Sequence, residues 1–243
     1  MSPTPLSVPN HLKRGGVKDE TSAAAGLEGF DLIARALGVD RSWYAGKTLL
    51  DVGCGNRMAE AVIAYAIPLR RYVGIDNAKK LIDVMAPQVE GTNVELIHVP
   101  VYNQMYANEA DRLARDYRLP VEGAYDIIHA WSLFSHLNAD DTDAYFHILR
   151  KHLAPGGVFT FTAFLEDISG WRDSDPDRPL LRVRYGPLFL EKLLSEAGWA
   201  VSNVYSRGGL ATPWPSRPFS DLTDQPGGQS LIVAYGIDRH RSD

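Results

Sequence analysis

Short apolar runs alternate with amphipathic stretches along most of the chain. Residues 22–37 carry helical periodicity, with Ser22 as a predicted N-cap and Gly38 as the stop. Lys47–Val52 (KTLLDV) is an unbroken apolar run, the pattern of a strand buried on both faces. The same reading predicts strands at Arg71–Ile75, Val94–Val99, Tyr125–Trp131 and Val158–Phe164. Between them it predicts helices near Met58–Ala66, Ala78–Ala86, Gln104–Tyr117 and Asp140–Leu153. Beyond Leu165 the rhythm breaks into a polar, Pro-containing stretch. A helix at Pro187–Ala197, a strand at Ala200–Ser206, a Gly/Pro/Ser-rich loop over 207–228 and a strand at Gln229–Tyr235 follow.

Strands that alternate with helices imply right-handed crossovers and a parallel sheet. The expectation is one domain over 22–243, preceded by a segment (1–21) that is either a loose tail or a lid. Two irregular insertions, about 165–186 and 207–228, fall where a substrate site would be built, because long loops in a compact domain are commonly functional.

Composition narrows the partners. The 25 basic and 30 acidic residues give a net charge of −5 and no basic excess, so a nucleic-acid partner is not expected. One cysteine, Cys54, precludes an intramolecular disulfide and a Cys-rich zinc site, and fits a reducing compartment. No apolar run approaches the ~20 residues of a membrane span, and the N-terminal residues lack the apolar core of a secretory signal. A cytoplasmic protein without a membrane partner is the expectation.

Chemistry concentrates at the turn after the first strand, Asp51-Val52-Gly53-Cys54-Gly55-Asn56-Arg57. Glycines let the backbone approach a ligand. A dinucleotide turn would read G-x-G-x-x-G, but Met58 stands at the last glycine position and Asp51 would repel a pyrophosphate. Asp76 ends the second strand, 21 residues after Gly55, the spacing that sets a carboxylate against ribose hydroxyls. A cationic nucleoside without a pyrophosphate satisfies both features, and S-adenosylmethionine is such a ligand.

Four segments then carry a resemblance: LLDVGCG (Leu49–Gly55), YVGID (Tyr72–Asp76), YDIIHAWSLFSHL (Tyr125–Leu137) and LRKHLAPGGVFTFTAF (Leu149–Phe164). In this order and spacing they resemble the class I S-adenosylmethionine-dependent methyltransferases. The resemblance implies a Rossmann-like, doubly wound α/β fold of seven strands. Its sheet would be mostly parallel with an antiparallel last strand, and helices would cover both faces. It implies S-adenosylmethionine as cofactor and S-adenosylhomocysteine as product. By position it places Asp51, Gly53, Cys54 and Gly55 at the methionine portion and Asp76 with Asn77 at the ribose. Val101 and Tyr102, following Pro100, fall at the adenine, and Ala130 with Trp131 at the sulfonium. Two departures stand out. Arg57 replaces the family's third glycine, where its guanidinium suits the cofactor's carboxylate. Pro100 replaces the acid after the third strand, with Asn103 as the substitute.

After the fourth strand there is no Asn/Asp-Pro-Pro-aromatic motif, which argues against nucleobase N-methylation. His136 stands where hydroxyl-methylating relatives often carry a histidine. Methyl transfer from a sulfonium needs alignment and proton removal, and a neutral imidazole suits the second task. His136 is the predicted general base. His129 and His98 are expected in the core, and His147 and His152 on a solvated helix face. The run Asp173–Asp177 fails the EF-hand pattern and reads as a solvated acidic loop. No metal is expected, although metal assistance stays open. Phe134, Glu166, Trp171, Tyr185 and Trp214 are candidate acceptor contacts. The expected acceptor is a small polar molecule, with a sugar or glycan favoured over a phenol. N- or C-methylation and a silent cofactor-binding protein remain alternatives, and a homodimer is compatible with the sequence.

Overall fold

The computed structural model describes residues 6–13, 21–101, 103, 112–175, 177–205, 211–213 and 228–237. The chain divides into two compact units, Met1–Pro100 and Val101–Asp243.

The first unit runs α1 (Thr21–Leu37), β1 (Thr48–Val52), α2 (Arg57–Ala64), β2 (Arg71–Asp76), α3 (Lys79–Met85) and β3 (Val94–His98). The three strands are parallel in the order β3–β2–β1, with Asp51 opposite Gly74 and Asp76 opposite His98. Every residue of β1 is buried, as its unbroken apolar run requires. Helix α1 buries Phe30 and Ile33, and the buried Tyr44 donates its hydroxyl to the Phe30 carbonyl at 2.8 Å. Gly26 permits a close helix–helix approach: a Cβ there would lie 2.1 Å from the Arg57 carbonyl oxygen. Ser22 is not the N-cap expected of it. It lies inside α1, fully buried, and its Oγ accepts from Asn56 Nδ2 at 2.6 Å. That amide also donates to Glu60 Oε1 at 3.0 Å, so a buried polar chain ties α1 to the start of α2. Within the N-terminal segment, Val8 is buried, and Ser7 exchanges two hydrogen bonds with the Gln88 side chain (2.8 and 3.1 Å).

The second unit holds β4 (Tyr125–Ala130), α4 (Ala139–Arg150), β5 (Leu153–Leu165), β6 (Trp171–Asp173), β7 (Val183–Tyr185), α5 (Pro187–Glu196), β8 (Trp199–Tyr205), β9 (Ala211–Pro213) and β10 (Ser230–Gly236). The order is β4–β5–β10–β8–β9, with β4 parallel to β5 and β10 antiparallel to both its neighbours. Its core stacks Phe134, Phe146, Phe159 and Phe161, all fully buried, against Trp199. Asn138 caps α4 by accepting from the Asp141 amide at 2.8 Å, and Asp140 and Asp141 face the helix N-terminus.

Among the described residues seven strands match the predicted set, and three short ones were not expected. Two of these, β6 and β7, form an antiparallel hairpin inside the stretch read as irregular, and β7 pairs in parallel with the end of β5. Strand β5 starts at Leu153 rather than Val158. The helix expected over Gln104–Tyr117 lies mostly outside the described residues; its described end, 112–117, is loop and turn.

Candidate functional site

In the first unit the turn after β1 bends through two left-handed glycines, Gly53 (φ +68°) and Gly55 (φ +53°). Its amides are engaged within the protein. Gly53 and Cys54 donate to the Ile75 carbonyl (2.8 and 3.1 Å), and Gly55 donates to Asp76 Oδ2 at 2.9 Å. A phosphate-binding loop aims such donors at the ligand; here they face β2. Asp76 Oδ1 accepts from the Ala78 amide at 2.8 Å, so the carboxylate is held at both oxygens by backbone. Each oxygen keeps a second lone pair for an incoming hydroxyl.

Asp51 is almost fully buried in β1. Its Oδ2 accepts from the Tyr72 hydroxyl at 2.5 Å, while Oδ1 has no hydrogen-bond partner. Burial pushes this carboxyl up to about 7; the Tyr72 hydroxyl opposes the shift and the charge of Asp76 adds to it. A buried acid with an orphaned oxygen beside a glycine turn fits a cationic ligand group. The Cys54 thiol is buried, and burial raises its pKa. A Cβ on Gly74 would lie 2.9 Å from Cys54 Sγ, so the thiol occupies the space that glycine leaves in β2. Arg57 opens α2 half-buried, where desolvation disfavours its charge and Glu60 supports it.

In the second unit the chain leaves β4 through Trp131 and enters a tight turn, Phe134–His136. Ser132 holds a left-handed backbone (φ +57°), unusual for a residue other than glycine. The side chains of Thr162, Gln229 and Ser135 support it. The Ser132 amide donates to Thr162 Oγ1 at 2.7 Å, and Thr162 donates to Gln229 Oε1. Gln229 Nε2 donates to Ser132 Oγ at 2.6 Å and reaches Ser135 Oγ at 3.3 Å. His136 is partly buried, with Nδ1 3.1 Å from the Leu180 carbonyl oxygen. A carbonyl only accepts, so Nδ1 carries the proton and the lone pair sits on Nε2. Burial lowers the His136 pKa, against the pull of the Leu180 and Leu181 carbonyls, which keeps the ring neutral at neutral pH.

Residues 25–204 match the family described as a methyltransferase domain. The chain belongs to that family. This methyltransferase is similar in structure to an S-adenosylmethionine-dependent methyltransferase from Leishmania major (15% identity, 90% of this chain and 78% of that one, TM-score 0.56). One from Clostridium acetobutylicum is comparable (12%, 91% and 93%, 0.54). So is a glycopeptide N-methyltransferase (11%, 87% and 90%, 0.54). The likenesses show the Rossmann-like methyltransferase fold predicted from the sequence. S-adenosylmethionine is the cofactor of this class, as the sequence implied.

The methyltransferase brings Asp51, Gly53, Cys54, Gly55, Arg57, Asp76 and Asn77 together around the two strand ends of the first unit. In the second unit Val101 and Ala130 are buried and Trp131 is partly so, while Tyr102 and Trp214 lie outside the described residues. Several roles read from the sequence shift. Phe134 is fully buried in the aromatic core, which leaves it no face for an acceptor. Tyr185 is equally buried; its hydroxyl donates to the Leu137 carbonyl and pairs with Thr142 Oγ1 at 2.7 Å. Phe134 thus roots the His136 turn in the aromatic core, and Tyr185 holds the residue that follows it. Asn103 also holds the turn, donating from Nδ2 to the His136 carbonyl at 3.1 Å. Glu166 accepts two hydrogen bonds from Arg172 and lies 3.9 Å from Arg184, and Trp171 is 39% exposed on β6.

His129 is a core residue as expected, bonded through Nδ1 to Thr160. His98 is partly exposed across from Asp76, not in the core. The acidic run is not merely solvated: Asp173 accepts from the Leu180 and Asp175 amides, and Asp175 pairs with Arg178. Among the described residues no group of three His, Cys, Asp or Glu side chains is placed to hold a metal, and no helix is long and apolar enough to cross a membrane. The residues missed by the sequence reading, Leu180, Thr162 and Gln229, act through a backbone carbonyl, a hydroxyl and a side-chain amide, none of which forms a motif.

Proposed function

We propose that the protein transfers a methyl group from S-adenosylmethionine to a hydroxyl of a small polar acceptor, sugar-like rather than phenolic, with His136 as the general base. The observation that carries this reading is the hydrogen bond from His136 Nδ1 to the Leu180 carbonyl. It fixes the tautomer with a basic Nε2, and burial keeps the ring unprotonated.

When bound, the cofactor supplies a methyl group on a sulfonium that departs as S-adenosylhomocysteine. Asp51 Oδ1, orphaned and buried, would accept from the cofactor's ammonium, and Arg57 would pair with its carboxylate. The backbone of Gly53, Cys54 and Gly55 would line the methionine portion. Asp76 and Asn77 would accept and orient the ribose hydroxyls, and the family resemblance assigns Val101 to the adenine and Ala130 with Trp131 to the sulfonium. His136 Nε2 would take the proton of the acceptor hydroxyl. Glu166, Arg172 and Trp171 supply polar edges and an aromatic face of the kind that suits a polyhydroxylated molecule.

The test is His136→Ala, assayed against a panel of sugars and phenols, with S-adenosylhomocysteine affinity measured by calorimetry. The expected result is a kcat reduced roughly 10²–10⁴-fold with cofactor affinity unchanged. Equal loss of both would assign His136 to cofactor contact. Full retention of turnover would favour N- or C-methylation, because an amine needs less help losing its proton.

A further inference from the structure

Two of the three non-glycine residues with left-handed backbone among the described residues, Ser132 and Leu180, hold the two sides of the His136 turn. Such conformations persist only where the surroundings enforce them, and they concentrate at working sites. For Ser132 the enforcing groups are Thr162 and Gln229. For Leu180 (φ +62°, side chain buried) the enforcing group is Asp173, the last residue of β6. Its Oδ2 accepts from the Leu180 amide at 2.5 Å, and its Oδ1 accepts from the Asp175 amide at 3.2 Å. One carboxylate thus holds the amides of both Asp175 and Leu180. The Leu180 carbonyl, on the far side of the same residue, receives His136 Nδ1. The hairpin carrying Asp173 is anchored to β5 through the Leu165–Tyr185 pair, and Tyr185 also grips the Leu137 carbonyl. The base and the group that orients it therefore hang from one strand end.

We propose that Asp173 is a positioning residue for methyl transfer: it holds Leu180 in its left-handed conformation so that the Leu180 carbonyl fixes the His136 imidazole with its lone pair on Nε2. This rests on the reading of His136 as the base. The arrangement matches the general need of a catalytic imidazole for a third group that sets its tautomer. Here a backbone carbonyl fills that position, and the carboxylate acts one step removed.

The test uses the full chain with Asp173→Ala and Asp173→Asn, each alone and combined with His136→Ala. Nitrogen-15 NMR of the His136 ring is the readout that a merely structural role would not move. The wild type is expected to show a protonated Nδ1 and an unprotonated Nε2. Asp173→Ala is expected to give a tautomer mixture and a kcat lower by about 10²-fold, the cost of a misplaced catalytic group. Affinity for S-adenosylhomocysteine is expected to stay the same. In the His136→Ala background the substitution should change kcat by no more than about twofold, because residues acting as a unit are not additive. Asp173→Asn, with one acceptor oxygen for two amides, should fall between, and it carries the test if the alanine variant does not fold. An unchanged tautomer with unchanged kcat in a folded Asp173 variant overturns the proposal and leaves His136 as the base. Full activity of His136→Ala overturns both, and the ring spectrum then shows separately whether Asp173 orients His136 at all.

Discussion

At the scale of single residues, the clearest consequence concerns Asp51. Burial raises its carboxyl from 3.8 to about 7. An acid whose folded pKa exceeds its unfolded value holds an extra proton between the two, so its contribution to stability grows as pH falls from 7 toward 4 and is unfavourable above 7. A cationic ligand group reverses that preference. Cofactor binding near pH 6 is therefore expected to release close to one proton, and at pH 8.5 none. Calorimetry in two buffers of different ionisation enthalpy measures this, and Asp51→Asn should abolish the release. Asp51 and Asp76 were legible in the sequence because their spacing from the glycines is itself the signal. Asp173 was legible only as part of an acidic run. Its partner is a backbone amide seven residues on, in a leucine whose left-handed conformation has no local cause. Cys54 was singled out for its place in the turn, yet its side chain turns toward Gly74.

At the scale of elements, α1 is more than a cover for β1. Gly26 lets its backbone approach the first turn of α2, and Ser22 bonds to Asn56 next to the glycine turn. Gly26→Ala would drive a methyl group into the Arg57 carbonyl and part the two helices. The expected cost is about 1–3 kcal/mol or more, read from a urea midpoint. Because Arg57 directly follows the glycine turn proposed to hold the cofactor, weaker S-adenosylhomocysteine binding should accompany it. Strands and helices of five residues or more were visible from periodicity, since burial on one or both faces imposes it. The hairpin β6–β7 was not. Trp171–Asp173 and Val183–Tyr185 are too short to show a period, and their pairing depends on the distant edge of β5.

At the scale of the whole molecule, acid stability should hinge on His129. Fully buried, it is pushed from 6.5 down to about 4, chiefly by desolvation, with the Thr160 carbonyl opposing. Unfolded chains take up this proton first, so the group's contribution is present above pH 6.5 and lost as pH falls toward 4, by about 3 kcal/mol. His129→Gln keeps a donor for the Thr160 carbonyl and should flatten the fall in urea midpoint between pH 7 and 4.5; an unaltered slope would contradict the assignment. A different kind of vulnerability follows from β10. It lies between β5 and β8 yet is synthesised after both. A ribosome that has made Tyr205 has completed two strands whose facing edges have nothing to pair with, and β5 there is rich in buried phenylalanine. Raw edges of this kind invite other chains. The time taken to translate residues 206–229 thus sets how long the nascent protein stays sticky, and slow codons in that stretch would lower the yield of folded enzyme without altering a single amino acid.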